Sequence, residues 1–474
     1  MFHDDDRMDE DEDFDALDEL IRRFQAIKRG EAGYMMDEEA YEQVIEYYAQ
    51  NSQEEEALLA CDIARTYFPF SANVLLLKAE ILTQAQKYGQ ALKVLDELDE
   101  YEQNNLDAVL LRSDIMLGQL KYDQAALYLE QQSQHFDGRD KAELLLELSD
   151  VYDECEEFEA VFETLRRVIA IDRRNEEALQ KICFWAEFTG KLEESITLHE
   201  AIIEEDPYNA LAWFNTGAAY QGLKMYEKAI DAYEYCIAID EKFEFAYRNM
   251  ADACMRMKWY DRALEVLQKH LEIAKPEDVI FEAMGICHER LKNFRQARHY
   301  YREAIRLSPK DGAIFFRIGE CYSREGQWEK AMKSYSSALL LDKDNAAYYI
   351  AAGHCLMELD STKDALAMYV NAVRLKPTSK TAWTTLIRGL YIAGYYQEAL
   401  TQLAIARTHL PDKPDLYYYE AAALIELGKV KEGLLHLEHA LQGAPARVKA
   451  FTELNPEYMR RASVMELIGR YKKK

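Results

Sequence analysis

The sequence predicts an all-α solenoid of about twelve helical hairpins, each 34 residues long, with a capping helix at either end. Three observations predict it. The first is a period. A large apolar residue is followed four positions later by a small one and twelve further on by Ala, as in Trp213, Gly217 and Ala229, or Phe281, Gly285 and Ala297. The same triplet returns as Phe315, Gly319 and Ala331 and as Tyr349, Gly353 and Ala365, in one register from Ala210 to Pro445. The second is spacing within the period: apolar positions 4, 7, 8 and 11, then 17, 20, 24 and 27, recur as they do along one face of a helix. The third is that no stretch alternates as a strand does, and no strand–loop–helix phosphate pattern occurs. Repeats of this length stack into arrays. An array grows without a central core and offers a long surface rather than a sealed pocket.

With Ala210 as position 1, units begin at Glu38, Ala72, Leu106, Ala142, Glu176, Ala210, Glu244, Asp278, Gly312, Ala346, Lys380 and Pro414. One spacing departs from the period, through two extra residues around Phe136-Asp137-Gly138-Arg139. The array thus spans 38–447. Position 4 is large and apolar throughout, from Tyr41 and Leu75 to Trp383 and Tyr417. Position 20 is small (Ala57, Ala91, Ala125, Ala229 and onward), because two helices approach closely only where one lacks bulk. A Leu there would overpack the pair at a cost of about 1–3 kcal/mol. Position 24 is aromatic or aliphatic, with Tyr233, Tyr301, Tyr335 and Tyr369. Position 32 is often Pro (Pro69, Pro207, Pro309, Pro377, Pro411, Pro445), which stops the second helix.

These columns resemble the tetratricopeptide repeat, W-x2-L-G-x2-Y, then A-x3-F, then P. The unit Trp213-Phe214-Asn215-Thr216-Gly217-Ala218-Ala219-Tyr220, followed by Ala229, Tyr233 and Cys236, is the most similar to it. Departures occur where Val161, Ser195 and Gly433 replace the small Ala, and where Ile387 stands for the usual Gly. The resemblance implies a right-handed superhelix whose first helices line a concave groove. It also implies a protein–protein interaction scaffold or adaptor that binds extended or helical partner segments.

The ends are read separately. Residues 1–13 are almost wholly acidic and are expected to be a disordered tail. Phe14, Leu17, Leu20, Ile21, Phe24 and Ile27 mark one face of an amphipathic helix, so 14–37 are expected to form an N-terminal cap and turn ending at Gly30 and Gly33. After Pro445, Asn455-Pro456 signals a helix start. A final helix bearing Tyr458, Met459, Ala462, Met465 and Ile468, and ending in Lys472-Lys473-Lys474, makes 448–474 the expected C-terminal cap.

Composition bounds the function. The formal net charge is −29, which repels nucleic-acid phosphates and anionic membrane surfaces and also aids solubility. No stretch approaches the roughly 20 apolar residues needed to span a bilayer. Met1-Phe2-His3-Asp4-Asp5-Asp6 lacks a signal peptide's basic and apolar regions, so a cytoplasmic location is expected. The eight cysteines form no C-x-x-C. Three of them, Cys287, Cys321 and Cys355, form a column at position 10 and are read as small core residues. Nucleophile-elbow, zincin and phosphate-loop motifs are absent. The chain is therefore read as no enzyme, with no cofactor and no metal site. The rival reading is a helical-repeat enzyme or regulatory subunit with an active site in the groove. A further rival, RNA binding by one hairpin per base, calls for basic columns and is disfavoured by the acidity.

Candidate binding residues come from positions 2, 5, 9, 12 and 13, a helical stripe apart from the core stripe. Early units present acids there: Glu39, Glu42, Glu46, Glu80, Asp107, Asp114, Glu143, Asp150, Asp153 and Glu154. From the seventh unit arginine enters, as Arg248, Arg256, Arg290, Arg324 and Arg388, with Arg317 at position 6. Phe214, Phe245, Phe316, Tyr391 and Tyr418 accompany them, with His354 on the stripe and Asn249 at the flanking position 6. Arginine beside aromatic rings is the composition of interface hot spots, and arginine grips carboxylates with two parallel bonds. The expected partner is a protein or peptide with acidic or carboxylate groups, docking between Phe214 and Tyr391. The plainer account is that these arginines offset Glu282, Glu289 and Glu320. Asn215 and Asn249 sit where a carboxylate clamp for chaperone tails has Asn, but Gln180 and Phe214 stand where it has Lys, so chaperone-tail binding is not expected. Self-association through terminal helices, and a fold-back of the Asp4–Asp15 segment onto the arginines, are further expectations.

Overall fold

The computed structural model describes residues 5–31, 33–410 and 413–472. Met1–Asp4, Pro411 and Lys473-Lys474, on which parts of the tail, proline-column and triple-lysine expectations fall, lie outside the described residues. No strand occurs among the described residues. The chain divides into two compact units, Met1–Ala246 and Tyr247–Lys474.

The first unit opens with α1 (Asp5–Lys28). Hairpins follow as α2 and α3 (Glu38–Gln50, Glu54–Tyr67), α4 and α5 (Ala72–Gln84, Tyr88–Asp99), and α6 and α7 (Leu106–Gly118, Tyr122–Gln132). Then come α8 and α9 (Gly138–Glu154, Phe158–Ile171), α10 and α11 (Glu176–Phe188, Leu192–Glu205), and α12 and α13 (Ala210–Gly222, Tyr226–Ile239). The division falls within α14 (Glu244–Arg256). The second unit continues with α15 (Tyr260–Ile273), α16 and α17 (Asp278–Arg290, Phe294–Leu307), and α18 and α19 (Gly312–Arg324, Trp328–Leu341). It closes with α20 and α21 (Ala346–Glu358, Thr362–Leu375), α22 and α23 (Lys380–Ile392, Tyr396–His409), α24 and α25 (Leu416–Glu426, Val430–Gly443), α26 (Lys449–Thr452) and α27 (Ala462–Lys472).

The boundaries have local causes. Eight first helices carry a side-chain cap one residue before the helix. Asp37, Ser71, Asn105, Asn175, Asn209, Asp311, Asn345 and Ser379 each accept a bond from a backbone N–H two or three residues on. The turn inside each hairpin is equally regular. Position 15 is left-handed in all twelve units, at Ser52, Gln86, Leu120, Glu156, Gly190, Lys224, Lys258, Lys292, Gly326, Asp360, Gly394 and Gly428. The next residue's N–H then reaches back five residues to a helix carbonyl, as in Gln53 to Tyr48 at 2.8 Å and Lys429 to Leu424 at 2.9 Å. That bond satisfies a carbonyl the helix end would otherwise leave open.

Packing inside the hairpins depends on a volume exchange between positions 8 and 24. A methyl group built on Gly217 would stand 2.6 Å from a ring carbon of Tyr233, and one on Gly319 would stand 2.5 Å from Tyr335. Gly285 and Gly353 are closed in the same way by Tyr301 and Tyr369. Elsewhere the pair is Ala79 with Leu95, Ser113 with Leu129, Ser149 with Leu165, or Ala421 with Leu437, and each of these residues is buried. The first hairpin reverses the order, with a large Ile45 at position 8 and Cys61 at position 24, both buried. Interiors are close-packed, so in these hairpins one side grows where the other shrinks; the α22–α23 hairpin departs from this, with Ile387 and Leu403 both large and both buried.

Three stretches differ from the sequence expectation. Residues 5–13 belong to helix α1 rather than to a disordered tail. The two-residue insertion lengthens a helix, since α8 begins at Gly138 and runs 17 residues against 13 for α6 and α10. The C-terminal segment is not one helix from Pro456. It makes a 3-10 turn, Pro456–Arg460, passes through an extended Arg461 and restarts as α27. That break lets Tyr458 turn inward, where it is fully buried.

At the other end, Phe24 of α1 is buried against Tyr41 and Tyr48. Gln25 donates to the Tyr48 hydroxyl at 2.7 Å. The helix therefore covers the apolar side of the first hairpin.

Two substitutions test these devices by urea or thermal unfolding. Gly319→Ala is expected to destabilise the chain by about 1–3 kcal/mol, because the Tyr335 ring cannot move aside. Leu120→Gly is expected to stabilise it by about 0.5–1 kcal/mol, since Leu120 is left-handed and 73% exposed.

Candidate protein interface

In the first unit, α2, α4 and α6 line a groove of about 440 Å³. Its floor is Leu76, Leu77, Leu110 and Leu111, and Glu42, Glu46, Glu80, Asp107 and Asp114 stand around it. These are positions 2, 5, 6 and 9 of three successive first helices, so the acidic columns of the sequence converge on one surface. Enclosure by the groove walls raises the Asp114 carboxyl above its ordinary value. Burial, followed by the charges of Asp114 and Asp150, raises Glu147 in the same direction. Asp150, the next rung of the column, is already engaged by Lys181 at 2.8 Å.

Two residues missed in the sequence reading lie further along these columns. Phe184 and Phe188, at positions 9 and 13 of α10, are 60% and 58% exposed. They pack edge and face against Trp185 and Phe158 in one aromatic cluster. The signal was present, since position 9 is acidic in the four preceding units, at Glu46, Glu80, Asp114 and Asp150. Phe214 is half-buried, with its ring 5.0 Å from Phe243 and 5.8 Å from Tyr233, and Phe245 is 55% exposed.

In the second unit the arginines divide into two groups. Arg317 lies 3.3 Å from Glu282 and 3.7 Å from Glu289, Arg256 lies 3.3 Å from Asp252, and Arg248 lies 3.7 Å from Glu277. For these the offsetting account fits. Arg290, Arg324 and Arg388 are exposed and make no ion pair among the described residues. Asn249 is half-buried, and Phe316 stacks on Tyr348 at 4.9 Å. His354 lies 3.2 Å from the Tyr369 hydroxyl, and burial and then the Arg388 charge hold its imidazole below the ordinary value.

Two candidates are corrected. Tyr418 is fully buried and donates to the Ala444 carbonyl at 2.9 Å. Tyr391 is 6% exposed, with its hydroxyl 2.6 Å from that of Tyr458, which in turn donates to Glu426 at 2.7 Å. The C-terminal 3-10 turn covers Tyr391, so neither ring is open to a partner.

A polar cluster is also buried in the core of the first unit. His199 is fully buried, its Nδ1 2.7 Å from the Ser195 carbonyl and its Nε2 3.1 Å from Asn215 Nδ2. Asn215 also donates to the Leu179 carbonyl at 2.7 Å. A Ser, a His and an Asn meet here, all of them buried, and the cluster ties α10, α11 and α12 together.

Sequence comparison agrees with this architecture. Tetratricopeptide repeat models match residues 210–243, 246–278 and 290–355. The chain carries tetratricopeptide repeats. A PPR repeat model also matches one further hairpin, residues 381–402. No curated protein matches the sequence.

Solved structures with similar repeats include the C-terminal part of a TPR repeat-containing protein from Cytophaga hutchinsonii, at 13% identity and TM-score 0.44, covering 54% of this chain and 99% of that one. Another is the APC/C hetero-tetramer Cut9-Hcn1, at 15% identity and TM-score 0.37, covering 86% and 96%. A third is YrrB, a TPR protein described with an unusual peptide-binding site, at 21% identity and TM-score 0.35, covering 39% and 95%.

Among the described residues, the tetratricopeptide hairpins gather no group of three or more His, Cys, Asp or Glu able to hold a metal ion. No described helix is long and apolar enough to cross a membrane. The position-10 cysteines Cys287, Cys321 and Cys355 are buried, and burial pushes their thiols up to about 12, 12 and 11. They behave as small core residues.

Burial lowers His199 to about 4. The unfolded chain takes up this proton near pH 6.5, so the contribution is complete above that pH and is lost as pH falls toward 4. Between pH 7.5 and 5 the wild type is expected to lose about 2 kcal/mol more than His199→Gln, by urea unfolding at each pH.

Proposed function

We propose that the chain is a non-catalytic interaction scaffold, and that its first-helix columns hold extended segments of partner proteins. The observation that carries this is where unneutralised side chains collect. Arg290, Arg324 and Arg388 are exposed on first helices and lack an ion-pair partner among the described residues. The helices that carry them fix the spacing of these charges, which lowers the entropic cost of binding. In the second unit the partner chemistry that fits is an acidic segment or a free C-terminal carboxylate, taken by arginine in two-pronged fashion. Within the groove of the first unit, acid without basic counterparts disfavours nucleic acid, because phosphate binding needs Lys and Arg to displace counterions.

Arg317 does not belong to this binding set, being held between Glu282 and Glu289. The test is therefore Arg290→Glu, Arg324→Glu and Arg388→Glu combined in the full chain. The probe is a fluorescent decapeptide of alternating Glu and Tyr with a free carboxylate. Affinity is expected to fall about tenfold or more, as for loss of several charge-assisted contacts. Unchanged affinity would remove this face as the binding site.

A further inference from the structure

The groove of the first unit carries a regular charge ladder. Glu46 of α2, Glu80 of α4 and Asp114 of α6 occupy the same position 9 of successive units. Helix α2 packs beside α4, and α4 beside α6. Packed helices lie about 8–10 Å apart, so the rungs repeat at about that distance. No Lys or Arg is ion-paired to any of the three among the described residues. The nearby lysines are engaged elsewhere, Lys78 by Asp62 at 2.5 Å and Lys181 by Asp150 at 2.8 Å. Lys181 thus neutralises the fourth rung and leaves a ladder of three open carboxylates. Between the rungs the floor is aliphatic, from Leu76 and Leu77 to Leu110 and Leu111.

We propose that this groove binds an extended basic protein segment with Lys or Arg at every third residue, its intervening aliphatic residues lying on the leucine floor. The inference rests on reading the first-helix faces as binding faces and names the partner for one of them. The period follows from chain geometry. An extended or polyproline-type chain advances about 3.1–3.3 Å per residue, so three residues cover about 9–10 Å and match the rungs. A polyproline helix, at three residues per turn, also points every third side chain to the same side. An α-helical segment advances only about 1.5 Å per residue, so it would need basic residues about seven apart. The uncompensated carboxylates supply the complementarity: each open rung is a negative charge held beside apolar wall, where a cation interacts more strongly than in water. The leucines reward a partner whose spacer residues are apolar.

The test uses the full chain and fluorescence anisotropy. The probe is a labelled twelve-residue peptide of four Lys-Pro-Leu repeats. One control has the same composition with its lysines contiguous, and another is a helical peptide with lysines seven apart. Glu46→Gln, Glu80→Gln and Asp114→Asn are combined in one variant, whose thermal midpoint is expected to stay at the wild-type value because all three carboxylates are exposed.

The three-residue ladder peptide is expected to bind about tenfold tighter than either control and to lose about tenfold in the triple variant. Equal binding of the contiguous-lysine peptide would reduce the groove to diffuse attraction. Equal or tighter binding of the seven-spaced peptide would make the occupant helical. An unaffected triple variant would place the site elsewhere. Each of these outcomes overturns the proposal. If the ladder peptide fails while the acidic decapeptide still binds through Arg290, Arg324 and Arg388, this inference falls alone. If both probes fail, the scaffold reading falls with it.

Discussion

The exchange of volume between positions 8 and 24 is the constraint on which most of the hairpins depend. Two helices joined by a short turn must bring their backbones close enough to exclude water, and the gap between them is fixed by what those two positions hold. Glycine at 217, 285, 319 and 353 leaves room that only a tyrosine ring fills, while Ala or Ser meets Leu and Ile45 meets Cys61. Where the sum is conserved and the individual residues are not, the hairpin keeps one geometry through very different sequences; Ile387 with Leu403 is the departure. Neighbouring helices then stack in register, and columns along the first helices become meaningful surfaces.

The same tyrosines connect core to surface. Their rings pass beneath the glycines and their hydroxyls emerge at the first-helix columns. Tyr301 donates to Glu289 at 2.7 Å, Tyr335 to Glu320 at 2.5 Å and Tyr233 to Gln221 at 3.1 Å. Glu289 and Glu320 therefore have fixed orientations, and Glu289 in turn lies against Arg317. A side chain held from below loses little entropy when a partner arrives. Where no tyrosine reaches up, as behind Glu46, Glu80 and Asp114, Leu or Cys fills position 24. No tyrosine hydroxyl holds these carboxylates, and Glu80 accepts only from Gln84 of its own helix, at 3.2 Å. Held and open carboxylates are thus distinguished by their neighbours and not by residue type.

Charge composition alone gave a misleadingly uniform picture. A net charge of −29 describes solubility, yet the surface resolves into a groove with open acids and a set of columns where arginine is partly open. Arg248, Arg256 and Arg317 read like Arg290, Arg324 and Arg388 in sequence, since all fall on the stripe or, for Arg317, at position 6 beside it. They differ only in whether a carboxylate from the same or a neighbouring helix comes within reach.

The sequence by itself determined the repeat and the helical hairpins, because period, small residues and turn residues act within one unit. Left-handed position 15 and the Asn, Asp and Ser caps are local chemistry of this kind. Tertiary structure alone decided which stripe residues stay open. Tyr391 and Tyr418 share the stripe, but a 3-10 turn starting at Pro456 and the carbonyl of Ala444 remove them from the surface. Phe184 and Phe188 remain exposed because their cluster with Trp185 and Phe158 leaves their edges uncovered. Period and capping depend on bonds a few residues apart, which a sequence displays. Exposure and ion pairing depend on which distant side chain arrives first, which only the packed chain settles.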